Sequence, residues 1–200
     1  MDLLIATRND GKIKELEKLL ADLPITLRNL NEFNNIIEAD ENGRDFAENA
    51  ILKAKSYAVQ TGLWALADDS GLKVEALGGA PGVISARYAG ERATDQENIE
   101  KLLSALNKTG DEARQAKFIC VMAIANEKGE IKYLAEGACS GKIAANASGA
   151  NGFGYDPIFI PEGFLSSSFG ELSAKTKWKI SHRARAAEKI IAFLRDFIAV

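Results

Sequence analysis

Leu3-Leu4-Ile5-Ala6 is apolar at every position, with no polar residue on alternate sites. A strand with one wet face alternates, so a continuous run marks a strand covered on both faces. The period then changes: Ile13, Leu16, Leu19 and Leu20 are spaced for one face of a helix. A buried strand, a polar turn and an amphipathic helix open an α/β fold. Residues 25–30 alternate as a second strand, and 38–45 form a polar loop. A helix is predicted from about Asp45 to Gln60, with Phe46, Ala50, Ala54, Tyr57 and Ala58 inward and Gly62 after its end. Leu63 to Ala67 reads as a buried strand and Leu72 to Leu77 as a strand with one solvated face. Gly78-Gly79-Ala80-Pro81-Gly82 is a tight turn, and a helix follows from about Thr94 to Leu106. Residues 116–125 and 130–136 read as a hairpin around Lys128-Gly129. Tyr155 to Ile160 is a strand whose Pro157 argues for an edge or a strand start. The last helix begins near Ser181, with Ala187, Ile190, Ile191, Leu194 and Ile198 inward. The expectation is one domain over residues 1–200, a mixed sheet flanked by helices.

The 200 residues carry a net charge of −3, with 46% apolar and 26% charged residues, an ordinary globular mix. The charge is uneven. Residues 40–48 are acidic, whereas Lys175, Lys177, Lys179, Arg183 and Arg185 crowd a short segment with no acid among them. An acidic chain with gathered lysines suits a compact anionic ligand better than a nucleic-acid track. Cys120 and Cys139 lack metal-ligand spacing and read as buried thiols of a reducing compartment. No basic leader opens the sequence, and no stretch approaches the roughly 20 apolar residues of a membrane span. A cytoplasmic protein is expected, with no membrane partner.

Asp68-Asp69-Ser70-Gly71 ends the apolar run at 63–67. Two carboxylates leaving the core suit a divalent metal and a water it activates. Asp, Ser and Gly are also the usual formers of a strand-end turn. Thr7-Arg8-Asn9-Asp10-Gly11-Lys12 lies between the first strand and the first helix, where a helix N-terminus can take a phosphate. It is not a Walker A loop, because Ala6 stands where that loop needs glycine. Asn9 or Asp10 capping the helix is the simpler alternative. Phe153-Gly154-Tyr155-Asp156 offers an aromatic face beside a glycine, as a core plug or as a ligand platform. His182, the only histidine, stands beside Arg183 at a helix start.

Seven motifs occur in order: Thr7-x-Asn9-x-x-Lys12, Glu-Asn-Ala-Ile-Leu-Lys-Ala (48–54), Ala-Asp-Asp-Ser-Gly-Leu (67–72), Leu-Gly-Gly-Ala-Pro-Gly (77–82), Ser-Ala-Arg-Tyr (85–88), Gly-Phe-Gly-Tyr-Asp-Pro-Ile-Phe (152–159) and Ile-Ser-His-Arg (180–183). With them the chain closely resembles the non-canonical purine nucleoside triphosphate pyrophosphatases, the Ham1 or inosine triphosphatase family, over essentially its whole length. The resemblance implies an elongated α/β fold with its active site in a central cleft, a homodimer and a Mg2+ requirement. It implies hydrolysis of inosine, deoxyinosine and xanthosine triphosphates to monophosphate and pyrophosphate, a house-cleaning reaction. By resemblance Glu41 and Asp69 hold the metal, and Asp69 is the proton acceptor for the attacking water; Asp68 can share either role. Lys12, Lys53 and Lys177 match substrate-binding positions and form the candidate phosphate clamp. Thr7, Arg8, Asn9, Asp10, Gly11 and Ser70 join them, and Phe153, Gly154, Tyr155 and Asp156 line the base pocket. His182 and Arg183 are expected to donate to the 6-carbonyl that separates hypoxanthine and xanthine from adenine. The chain departs from the family pattern at two places. Lys175-Thr176-Lys177-Trp178 replaces the usual Glu-Glu-Lys-Asn, and Arg8 stands where a small residue is common.

Overall fold

A computed structural model describes residues 1–110 and 114–199. Strand β1 (Asp2–Ile5), helix α1 (Asp10–Leu19) and strand β2 (Thr26–Asn29) form the opening unit, with β1 and β2 parallel. Asn9 caps α1 by accepting from the Lys12 N–H at 3.0 Å. Helix α2 (Phe46–Thr61) is capped by Asp45 and stops at Gly62, whose φ of 67° only glycine adopts without strain. Strand β3 (Trp64–Val74) runs parallel to β1 with Ile5 opposite Leu66. Helix α3 (Asp95–Thr109) opens on a capping box of Thr94 and Glu97. Strands β4 (Gln115–Ala125) and β5 (Ile131–Ile143) follow, then β6 (Phe159–Pro161), antiparallel to β5. Helices α4 (Ala174–Ile180) and α5 (His182–Ile198) end the chain. The strand order β2-β1-β3-β4-β5-β6, with parallel and antiparallel pairs, makes a mixed α/β sheet.

The chain falls into two compact units: residues 1–69, 120–137 and 183–200, and residues 70–119 and 138–182. In the first, Leu3, Ile5, Ile13, Leu16, Leu66, Cys120, Met122, Ala187, Ile190 and Leu194 pack one core. In the second, Leu72, Val74, Ile99, Leu102, Phe118, Ile158, Phe159 and Phe169 pack another. None of the helices is long and apolar enough to cross a membrane, among the residues described.

Several sequence expectations need correction. The aspartate pair is not a strand-end turn, because β3 continues without a break from Trp64 to Val74. The expected second strand at 72–77 is the tail of β3 followed by a 3-10 turn at Glu75–Leu77. Both carboxylates find cationic partners, so the strand need not leave the core to satisfy them. The second hairpin strand is longer than 130–136 and runs to Ile143. Residues 155–160 divide into a 3-10 turn at Asp156–Ile158 and the short β6. Proline in the first turn of a helix costs no hydrogen bond, which explains its place there.

Candidate functional site

Adjacent residues of a strand face opposite sides of the sheet, so Asp68 and Asp69 meet different helices. Asp68 shares its face with Leu66. Its Oδ1 lies 3.0 Å from Lys12 Nζ of α1, and its Oδ2 accepts from Arg183 Nε and Nη2 of α5 at 3.2 and 3.1 Å. Arg183 also donates through Nη1 to Glu15 Oε2 at 2.5 Å. Asp68 and Arg183 are each 1% exposed. Burial alone pushes the Asp68 carboxyl up, but Lys12, Arg183 and Lys53 outweigh it and hold it well below the usual range. Asp68 is therefore a fixed anion.

Asp69 faces α2. Lys53 Nζ donates to Asp69 Oδ1 at 2.9 Å and to Glu41 Oε2 at 3.0 Å. The second oxygen, Oδ2, accepts from Asn49 Nδ2 at 3.2 Å. Here burial wins: the Asp69 carboxyl is raised, against the pull of Lys53 and Lys12. Burial likewise works to lower the Lys53 ammonium, yet Asp69 and Glu41 leave it raised, so it stays charged. The carboxyl end of β1 lies beside Leu66 of β3, two residues before Asp68, which brings the Thr7–Lys12 turn to Asp68. Within that turn the Thr7 hydroxyl accepts from the Asn9 N–H at 3.2 Å, and Asp10 and Gly11 start α1. Arg8 donates to Asn31 Oδ1 at 3.2 Å.

In the second unit Asp156 organises the 152–156 turn. Its Oδ2 accepts from the Phe153 N–H at 2.9 Å and from Lys177 Nζ at 2.5 Å. Any side chain at Gly152 would collide with that oxygen, since a Cβ there would lie 1.8 Å from it. Lys177 is 4% exposed, and its ammonium sits 4.8 Å from the Phe153 ring centre. Tyr155 is an anchor, because its hydroxyl donates to the Ser85 carbonyl at 2.9 Å. Gly154 donates its N–H to Asp95 Oδ2 at 2.7 Å, and the His182 ring stacks on Phe118 at 4.6 Å. Ser70 follows Asp69 directly on β3.

Lys12, Lys53, Glu41, Asp68, Asp69 and Arg183 are thus brought together in one unit, and Phe153, Asp156 and Lys177 in the other. The Arg183 guanidinium, expected to meet a purine carbonyl, is bonded to Asp68 and Glu15. Two residues escaped attention in the sequence, Glu15 and Asn49. Both are polar and buried on helices read only for their apolar stripes. Asn49 stands inside a quoted motif, directly before the inward Ala50, which is the signal that could have found it. Among the described residues no group of three or more His, Cys, Asp or Glu is arranged to hold a metal unaided.

A parallel α/β opening whose first strand–helix turn brings a lysine to carboxylates on the neighbouring strand belongs with phosphate-handling enzymes. The profile of the Ham1 family matches residues 3–193, and the chain belongs to that family. A dITP/XTP pyrophosphatase of Desulforamulus reducens is 48% identical over 195 residues, 97% of this chain and 96% of the relative. One from Vibrio vulnificus strain YJ016 is 46% identical over 196 residues, 97% and 96% of the two chains. The structure of a HAM1 protein from Coxiella burnetii matches with a TM-score of 0.89 at 44% identity, over 98% of this chain and 99% of that one.

Proposed function

We propose that this chain is a nucleoside triphosphate pyrophosphatase that hydrolyses non-canonical purine nucleotides, dITP, ITP and XTP, to the monophosphate and pyrophosphate. That clears them before they enter nucleic acid. The observation that carries the reading is Lys53 Nζ held between Glu41 and Asp69, beside Asp68 already neutralised by Lys12 and Arg183. Lysines and carboxylates gathered in a largely dry setting are what transfer to water of a highly anionic group demands.

Asp69 is the assigned general base. As the water oxygen bonds to phosphorus, its proton passes to Asp69, and the bridging oxygen leaves with the pyrophosphate. A carboxyl raised by burial is better matched to taking that proton than an ordinary one. Lys12 and Lys53 are assigned to the phosphate oxygens, and the N-terminal N–H groups of α1 with Thr7 to Gly11 line the same end. Lys177, Phe153, Gly154, Asp156 and His182 are assigned to the base, with Tyr155 bracing their turn.

Glu41 and Asp69 are the residues assigned to Mg2+. They fit it: both are hard oxygen donors already converging on one cation, the Lys53 ammonium. When bound there, Mg2+ supplies charge neutralisation and favours ionisation of water. The reading takes residues 1–200 as one catalytic domain, acting as a cytoplasmic homodimer without nucleic acid as a partner.

The test is product analysis on purified protein with Mg2+ and a panel of dITP, ITP, XTP, ATP and GTP. Pyrophosphate and monophosphate should form from the first three, and hardly at all from the last two. Orthophosphate as the first product overturns the reading.

A further inference from the structure

Asn49 belongs to no assigned role, yet it is 1% exposed on the inward side of α2. A buried amide is costly unless both its ends are bonded. Both are. Asn49 Nδ2 donates to Asp69 Oδ2 at 3.2 Å, and Asn49 Oδ1 accepts from the Gly43 N–H at 2.8 Å. Only one orientation of the amide satisfies an N–H on one side and a carboxylate on the other. Gly43 lies two residues after Glu41. The close approach depends on glycine, because a Cβ at 43 would lie 2.7 Å from Asn49 Oδ1 and 2.9 Å from the Asn49 backbone nitrogen.

We propose that Asn49 is a positioning residue that ties the Glu41 loop and the Asp69 carboxylate to one amide, and so sets the spacing of the two metal-binding carboxylates. The inference rests on the pyrophosphatase reading above. The amide divides the work of the Asp69 oxygens: Oδ2 is held by Asn49, which fixes the carboxylate plane, and Oδ1 is left to Lys53 at 2.9 Å. Asn49 and Lys53 are four residues apart on one helix, so they meet Asp69 from the same side. Without the amide, the carboxylate can rotate and the Gly43 N–H loses its acceptor, which releases the loop that carries Glu41. Residues that orient metal ligands in this way typically change metal affinity or activity by about 10–100-fold when removed.

The experiment compares the full chain with Asn49→Ala, Asn49→Asp and Gly43→Ala. It reads Gly43 amide hydrogen exchange, Mn2+ binding by calorimetry without nucleotide, and kcat and KM for dITP at saturating Mg2+. Asn49→Ala should speed Gly43 exchange and weaken Mn2+ binding by roughly tenfold or more, lowering kcat far more than KM. Asn49→Asp keeps the acceptor for Gly43 but offers Asp69 no donor, so Gly43 protection should persist while kcat falls. Gly43→Ala should weaken Mn2+ binding although Asn49 is intact, and it decides the matter if Asn49→Ala does not fold. Mn2+ affinity and kcat within twofold of wild type in folded Asn49→Ala overturn the proposal, as does unchanged Mn2+ affinity in Gly43→Ala. A wild-type protein that releases no pyrophosphate from dITP, with Gly43 exchange and Mn2+ affinity still dependent on Asn49, refutes the pyrophosphatase reading and leaves the clamp standing.

Discussion

Asp68 and Asp69 are neighbours on opposite faces of β3, so strand geometry gives them different partners. Asp68 compensates two cations, Lys12 and Arg183, in a fully buried position, so its charge is part of the fold. Removing one partner from a buried ion cluster costs about 3–5 kcal/mol, because the others stay behind uncompensated. Asp69 shares Lys53 with Glu41, so Lys53 keeps a partner at 3.0 Å when Asp69 is neutralised. Asp68→Asn is therefore expected to lower unfolding free energy in urea by that amount. Asp69→Asn should change it by less than about 1 kcal/mol while kcat drops roughly 10²-fold, the scale of losing a general base. Equal destabilisation by the two, or normal turnover in Asp69→Asn, would dissolve the distinction. The aspartate pair itself was legible in the sequence as polar residues breaking an apolar run. Its division of labour was not, because that depends on Arg183, which lies 115 residues away. For the same reason the sequence showed Arg183 as a candidate ligand group but not its bonds to Asp68 and Glu15.

At the scale of elements, α2 carries much of the candidate site, with Asn49 and Lys53 on one face and the Ala50–Ala54–Ala58 stripe beside them. Small side chains let the helix lie close to the sheet, which is how a lysine stem reaches a strand carboxylate. The helix end is set by Gly62 at φ 67°, and its amide donates to the Ala58 carbonyl. A Cβ at Gly62 would touch nothing within 4 Å, so Gly62→Ala has only the left-handed backbone to oppose it. The expected loss is about 1 kcal/mol, read as a lowered Tm by calorimetry. An unchanged Tm would mean that α2 ends by other contacts. The boundaries of α2 were legible because a cap and a glycine bracket a periodic stripe. The length of β3 was not, since Asp-Asp-Ser-Gly is turn chemistry by itself, and its place in the sheet beside β1 and β4, with cations of other elements meeting the carboxylates, is not local information. Helix α4 was missed because seven residues with three lysines show no apolar period, although Ser173 caps it.

For the whole molecule, the charge balance and the buried protons decide how it withstands alkali. Burial pushes the Cys120 thiol up in the first unit, with the Asp68 carboxylate adding to the effect. Burial also raises the Tyr155 hydroxyl in the second, helped by Tyr88 and Asp95. The sign follows from proton linkage. An unfolded thiol ionises near pH 8.5 and an unfolded tyrosine near pH 10, whereas the folded groups keep their protons. Above those values the unfolded chain binds fewer protons than the folded one, so stability falls as pH rises. Each group then removes about 1.4 kcal/mol per pH unit until its folded form ionises too. Lys53, held raised by Asp69 and Glu41 against its burial, acts in the same direction at higher pH. Urea midpoints of wild type, Cys120→Ala and Tyr155→Phe from pH 7 to 11 separate these contributions from the ionisation of surface lysines, which all three share. Tyr155→Phe should begin about 1 kcal/mol less stable at pH 7, having lost its bond to the Ser85 carbonyl. Above pH 10 its decline should then be the shallower one, so that the two curves converge. Cys120→Ala should depart from wild type earlier, flattening between about pH 8.5 and 10. Three parallel curves would show that neither buried proton limits the alkaline stability.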